Sequence, residues 1–332
     1  MEQNQSFGKK LADALALLLF GLVLLFGGMY IPLIGIFAVF LLVMPVALAV
    51  YRDGLGYGIA LSIIFGGLVL AFSGFPDGIV TFGAMTILAL FYGISFCKKV
   101  SAGKTLLGGI FIGILLAAAY FAYAYLISGV TIAELRSAFE TELAAMYNVY
   151  VESGLLDAAL TEGLSVEAYI NKLVVEMVQI LPSFLVIVVM AIAAVNYIVA
   201  QYVLRKRSAD ILGLPPFCQW HLPWWILWGV VVALACFVGG NLLDLEILLI
   251  IAKNILICYV PILLIAGISL VRYFLVQWNV SNGFQVLLWI VALLFMSVSA
   301  MFFVLIGAGD AAIDYRSNLM KKKKNDVGGH TK

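Results

Sequence analysis

Nine separated apolar runs take up most of this chain: Leu11–Tyr30, Ile31–Val50, Leu55–Phe72, Ile79–Phe96, Thr105–Ile127, Met177–Gln201, Pro223–Gly240, Leu245–Val276 and Phe284–Ala308. Most reach the ~20 residues that a helix needs to cross a ~30 Å hydrocarbon core. In that solvent every backbone N–H and C=O must be paired within the protein, so only helices and closed barrels can span it. The runs are continuous in Leu, Ile, Val, Phe and Gly and lack the alternation of a barrel strand, which leaves helices. Charged residues make up 11% of the chain, less than half the roughly 25% of an average soluble domain. The expected fold is an all-α, polytopic transmembrane helix bundle in the lipid bilayer.

Lys9-Lys10 before the first run imitates the start of a signal peptide. The run is too long for an h-region and no small-residue cleavage site follows, so it reads as an uncleaved span. Basic residues cluster at Lys9-Lys10, at Lys98, Lys99 and Lys104, at Arg205-Lys206-Arg207, and at Arg316 with Lys321 to Lys324. The positive-inside rule places the first three in the cytoplasm. A cytoplasmic N-terminus with six spans satisfies all three. Three further spans would put Lys321–Lys324 outside, against the rule. Two remedies exist: Leu245–Val276 breaks at Pro261 into two short passes, or one C-terminal segment is re-entrant. The span count is therefore eight to ten, with the tail expected inside a bacterial cytoplasmic membrane.

The organisation that follows is a six-span unit over 1–207 carrying an external acidic helical insert at 129–176. A proline/tryptophan elbow at 208–225, a C-terminal membrane unit at 226–310 and a basic tail at 311–332 come after it. The insert holds Glu134, Glu140, Glu142, Glu152, Asp157, Glu162, Glu167 and Glu176 against Arg136 and Lys172. Thr131 with Glu134 three residues on is a capping box, and Ile132, Leu135, Phe139, Leu143 and Met146 follow at helical spacing. Ser153-Gly154 would end that helix, and a second would start near Ser165 and run into span six.

Several chemistries can be set aside. Nineteen basic against eighteen acidic residues point to no nucleic-acid partner. Cys97, Cys218, Cys236 and Cys258 form no Cys-x-x-Cys pair, and His221 and His330 lie far apart, so neither a metal nor a cofactor is expected. Ser101-Ala102-Gly103-Lys104-Thr105 ends like a phosphate-binding loop, but the glycine required five positions before Gly103 is Lys98. With no carboxylate dyad or nucleophile–base set either, an enzyme is not expected.

What remains is polar residues at membrane depth. Lys253 sits inside an apolar run next to Asn254, and an ionised side chain there costs roughly 3 kcal/mol unless it finds a partner. Glu246, seven residues earlier on the same helical face, is the first candidate, and Asp244 the second. The pair is either structural or part of a substrate or ion contact. Asn196 is another candidate contact or a helix–helix glue. The segment from Leu214 to Trp225, with three prolines and three tryptophans, reads as a rigid interfacial elbow whose Pro215, Pro216, Phe217 and Trp220 could dock a partner.

Leu214-Pro215-Pro216-Phe217 with Trp220 and Pro223, then Gly309-Asp310 with Asp314-Tyr315-Arg316, resembles the YybS-like bacterial membrane proteins. Asn254 through Gly267 and Phe274 also fits that family's penultimate span. Met44-Pro45-Val46-Ala47-Leu48 followed by Arg52-Asp53-Gly54-Leu55-Gly56-Tyr57-Gly58 looks like the Pro…Gly-x-x-x-Gly turn of the six-span substrate-binding components of energy-coupling-factor vitamin transporters. Rod-shape MreD-like proteins share that superfamily. The resemblance implies that Ala12 and Ala16 would dock a membrane coupling subunit. Two features depart from the pattern: further membrane segments follow Arg205, and the outer insert is longer. Two functions are therefore expected: a non-enzymatic small-molecule binding or transport component, or a membrane scaffold that organises envelope-assembly proteins.

Overall fold

The computed structural model describes residues 7–31, 41, 43–73, 77–127, 129, 131–152, 165–206 and 213–316. Its helices are α1 Phe7–Tyr30, α2 Val43–Asp53, α3 Leu55–Ser73, α4 Asp77–Cys97, α5 Ala102–Leu126, α6 Ile132–Glu152, α7 Val166–Lys206, α8 Leu227–Leu243, α9 Glu246–Gln277, α10 Asn282–Leu294 and α11 Met296–Ile313. Short 3-10 turns at Phe217–Gln219 and Trp224–Ile226 precede α8. Among the described residues there is no strand. Five helical stretches among the described residues are long and apolar enough to cross a bilayer: Ala102–Leu126, Glu167–Lys206, Trp224–Leu243, Glu246–Gln277 and Met296–Ile313. The all-α membrane bundle expected from the sequence is the fold observed.

Contacts divide the chain into two units, Met1–Leu135 with Val188–Leu214, and Arg136–Ile187 with Pro215–Lys332. The first is centred on α2, whose residues from Val43 to Val50 are all buried. Gly54 joins α2 to α3 at φ 98°, a conformation in which a Cβ would clash, so glycine is needed at this turn. Tyr92 of α4 donates its hydroxyl to the Ala193 carbonyl of α7 at 2.9 Å. Its ring packs 6.2 Å from that of Tyr197, and Phe96 lies 5.6 Å from Tyr197. Arg52 pairs with Asp13, tying α2 to α1.

The start of the insert is as the sequence specifies. The Glu134 N–H donates to Thr131 Oγ1 at 3.2 Å, and the Thr131 N–H donates back to Glu134 Oε2 at 2.8 Å, a reciprocal capping box. Ser165 accepts from the Ala168 N–H at 3.3 Å and opens α7. α7 then continues for 41 residues through the sixth apolar run. Ser153-Gly154 lies outside the described residues, as do residues 32–40 of the second run.

The second unit differs from the sequence reading in three places. Arg136–Ile187 groups with the C-terminal helices, because Gln179 and Ser183 are hydrogen-bonded to α9. Pro261 does not break its run: α9 is one helix of 32 residues. The last run, expected as one span, is two helices that meet at Phe295, where φ is −105° and ψ 43°. α10 has only 13 residues, or roughly 20 Å at 1.5 Å per residue, and is too short to cross. Glycines seat α11 on α9. A Cβ on Gly267 would meet the Phe303 carbonyl, and one on Gly307 the Leu263 carbonyl.

α7 carries Pro182 in its interior, and Asn254 of α9 repairs the helix beside it. The Ser183 N–H, next to the proline, donates to Asn254 Oδ1 at 2.9 Å. Asn254 Nδ2 in turn donates to the Gln179 carbonyl at 2.7 Å and to the Ile250 carbonyl at 2.9 Å. One carboxamide thus joins a backbone donor and a backbone acceptor of α7 beside the proline, where a ladder bond is missing. Replacing Asn254 by Leu strips both backbone groups of partners in an apolar setting, for an expected loss of about 2–4 kcal/mol. Thermal unfolding of Asn254→Leu checks this. A loss under about 0.5 kcal/mol would mean that α7 simply re-forms its own Ser183–Gln179 bond.

Candidate functional site

The elbow is rigid for local reasons. Pro215 and Pro216 fix φ. A 3-10 turn follows, in which the Gln219 N–H donates to the Pro216 carbonyl at 2.8 Å and the Trp220 N–H to the Phe217 carbonyl at 3.0 Å. Trp220 Nε1 donates to the Pro215 carbonyl at 2.9 Å, and its ring meets Phe217 edge-on at 5.3 Å. Tyr259 of α9 donates its hydroxyl to the Ile226 carbonyl at 2.8 Å, which fastens the far end.

The elbow's free carbonyls are taken up from α9 and from the end of α11. Ser269 Oγ lies 2.7 Å from both the Phe217 and the Trp220 carbonyl oxygens, and its single proton serves one at a time. α11 ends at Asp314, whose left-handed conformation (φ 51°) reverses the chain. That reversal brings Arg316 back against the elbow. Its Nη1 donates to the Cys218 carbonyl at 2.7 Å and its Nη2 to Ser269 Oγ at 3.2 Å. The guanidinium also lies 5.4 Å from the centre of the Tyr273 ring.

Arg316 Nε is 3.3 Å from Asp310 Oδ2, and the two side chains are only 7% and 3% exposed. The ion pair is off the line of a hydrogen bond, so both Arg316 Nε and Asp310 Oδ1 are buried without one. A buried pair of this kind is weak evidence of net stability, because desolvating two charges cancels much of their attraction. It is stronger evidence of positioning. Through it, the segments Leu214–Pro223 and Gly309–Arg316 become one structure.

Two clefts flank this junction. One, of ≈ 470 Å³, is lined by Pro216, Phe217, Cys218, Ile268, Arg272, Val276 and Trp289. The other, of ≈ 460 Å³, is lined by Leu270, Phe274, Phe302, Leu305, Ile306, Gly309 and Tyr315. Arg272 is the one charged residue among these walls. Its Nη1 donates to Gln285 Oε1, and Gln285, itself buried, donates through Nε2 to the Val280 carbonyl at 2.6 Å.

Pro215, Pro216, Phe217 and Trp220 are therefore brought together, and they are joined by Ser269, Arg272, Asp310 and Arg316, which the sequence reading did not single out as site residues. Arg272 had a usable signal, being a cation inside an apolar run. The membrane-depth candidates do not converge on them. Lys253 is exposed and has no hydrogen-bond or ion-pair partner among the described residues. Glu246 accepts from Gln179 Nε2 at 3.2 Å rather than meeting Lys253. Asn254 is bonded to the α7 backbone beside Pro182. Asn196, 1% exposed, donates to the Ile192 carbonyl at 2.9 Å and leaves its Oδ1 buried without a partner. Ala12 and Ala16 are exposed on α1 of the first unit.

Comparison with known proteins agrees with the motifs that meet here. Residues 19–311 match the model of a family described as a predicted membrane protein family, DUF2232, and the chain belongs to that family. It is 27% identical over 202 residues to the uncharacterised protein YybS of Bacillus subtilis (strain 168), a match over 58% of this chain. The match spans 61% of that relative's length. No solved structure matches.

Proposed function

We propose that this DUF2232 membrane protein is a non-enzymatic binding component, a candidate transport subunit, whose ligand site is the cleft between the elbow and α9. The observation that carries this reading is the cleft itself. It is an open groove of ≈ 470 Å³ with one charged group, Arg272, among largely apolar walls, and a few polar groups on an apolar surface are the usual chemistry of small-molecule sites. The resemblance of the N-terminal half to energy-coupling-factor components supports a role beside a separately energised coupling subunit, with Ala12 and Ala16 exposed on α1 for such contact. Because Arg316 is bonded to Cys218, the start of the tail and the elbow lie on one side of the second unit. The positive-inside rule, applied to Arg316 and the Lys321–Lys324 sequence that follows it, favours a cytoplasmic location for that side.

Mass spectrometry of small molecules co-purifying with the wild type and with Val276→Trp, which fills the cleft, tests the reading. A compound present in the first and lost from the second is expected. Identical small-molecule profiles would sink it. A scaffold role is the second reading, favoured by exposed aromatic surface at the elbow: Trp224 is 65% and Trp225 58% exposed. It predicts a stoichiometric protein partner that Trp224→Ser with Trp225→Ser releases while Val276→Trp does not.

A further inference from the structure

Among the described residues, nothing balances the charge of Arg272. Its partner, Gln285, is neutral, and Gln285's own amide is committed to Val280. No carboxylate contacts Arg272 among the described residues. An uncompensated guanidinium on an apolar transmembrane helix is costly unless an anion or water completes its shell. Here the side chain is also held in place, since Gln285 grips one end and leaves the rest of the fork facing the cleft.

The walls of the cleft indicate what else the anion carries. Ile268 and Val276 lie one turn before and one turn after Arg272 on the same face of α9, so the three line a strip roughly 12 Å long. Pro216 and Phe217 border it from the elbow, and Trp289 from α10. A small inorganic ion would leave these apolar walls in contact with water. A molecule with an anionic head and a hydrocarbon body would satisfy the charge and cover the strip together. The negative end of the α9 dipole opposes an anion by about 0.3–1 kcal/mol, but only within the last turn, and Arg272 precedes that turn.

We propose that the elbow cleft binds an anionic phospholipid of the surrounding bilayer, with its phosphate on Arg272 and the start of an acyl chain along Ile268, Val276 and Trp289. This rests on the cleft being the ligand site and names the ligand's class. The test uses full-length protein in detergent, stripped of lipid and then offered phosphatidylglycerol, phosphatidylcholine or soluble glycerol 3-phosphate, with bound lipid counted by native mass spectrometry.

Wild-type protein should retain phosphatidylglycerol over phosphatidylcholine by about tenfold, because the choline cation of phosphatidylcholine already neutralises its own phosphate and repels the guanidinium. Arg272→Gln should lose that preference, and Arg272→Lys should keep part of it. Val276→Trp, which leaves the guanidinium in place, should bind neither lipid at this site. If Arg272→Gln does not fold, Arg272→Lys and Val276→Trp decide the matter alone. Equal retention of phosphatidylglycerol by the wild type and Arg272→Gln would overturn the proposal, and so would glycerol 3-phosphate competing as well as the lipid. If Arg272→Gln abolishes nothing but Val276→Trp still removes a different co-purifying compound, the cleft reading stands and the lipid class is wrong. Full retention in Val276→Trp would remove both.

Discussion

Arg316→Met should unlatch the elbow and cost about 3–5 kcal/mol, the usual penalty for removing one partner of a buried ion pair. The loss has three parts: the buried Asp310 loses its ion-pair partner, the Cys218 carbonyl loses its donor, and Ser269 loses one of its three polar contacts. Thermal unfolding measures the total. The local effect can be read separately from Cys218, by thiol labelling in a background where Cys97, Cys236 and Cys258 are replaced. Labelling should quicken markedly once the guanidinium is gone. Adding Asp310→Asn should recover part of the stability, because the stranded charge disappears, and this non-additivity separates a positioned pair from two independent contacts. If Arg316→Met unfolds within 1 kcal/mol of the wild type and labels at the same rate, the latch is decorative.

The seating of α11 on α9 should be still less tolerant. Gly267→Val and Gly307→Val each drive a side chain onto a carbonyl of the facing backbone, Phe303 in one case and Leu263 in the other. Overpacking against flexible side chains costs about 1–3 kcal/mol. Here the obstacle is main chain and cannot rotate away, so each change should reach or exceed the upper end of that range. Gly283→Ala is the matched control. It has no atom within 4 Å of its added methyl, and alanine in place of a helical glycine should gain roughly 0.5–1 kcal/mol. Opposite signs in one thermal-shift series would locate the effect at the crossing. Gly267→Val behaving like Gly283→Ala would mean that the two helices do not touch as described.

What the sequence revealed depended on how local each signal was. Apolar length gave the helices, and the Thr131–Glu134 spacing gave a helix start, because both are decided within a few residues. Phe295 offered no warning of the break between α10 and α11. It lies among Leu293, Leu294 and Met296 with no proline or glycine, so the break answers to packing elsewhere. Pro261 misled in the opposite direction, since a membrane helix tolerates a proline whose freed carbonyl is served by its surroundings. The Lys253–Glu246 expectation had the right face and the wrong reach. Seven residues separate the two by roughly 10 Å along the axis, and Gln179 meets Glu246 first. In the sequence Asp310 belongs to a family motif and Arg316 to that motif and to a basic cluster, and neither role pairs them. Their pairing depends on the reversal at Asp314, which helical spacing does not anticipate.

The latch has a consequence for the order in which the molecule is made. Arg316 follows Cys218 by 98 residues, so the elbow leaves the ribosome well before the side chain that closes it. At ~5–20 residues per second that interval is roughly 5–20 s. During it the Phe217, Cys218 and Trp220 carbonyls have only Ser269 and water to turn to, and Ser269 itself is made midway. Nascent chains of this protein therefore pass through a stage in which the membrane helices up to α9 have been synthesised while the elbow is still open, and quality-control proteases meet that stage before they meet the finished fold.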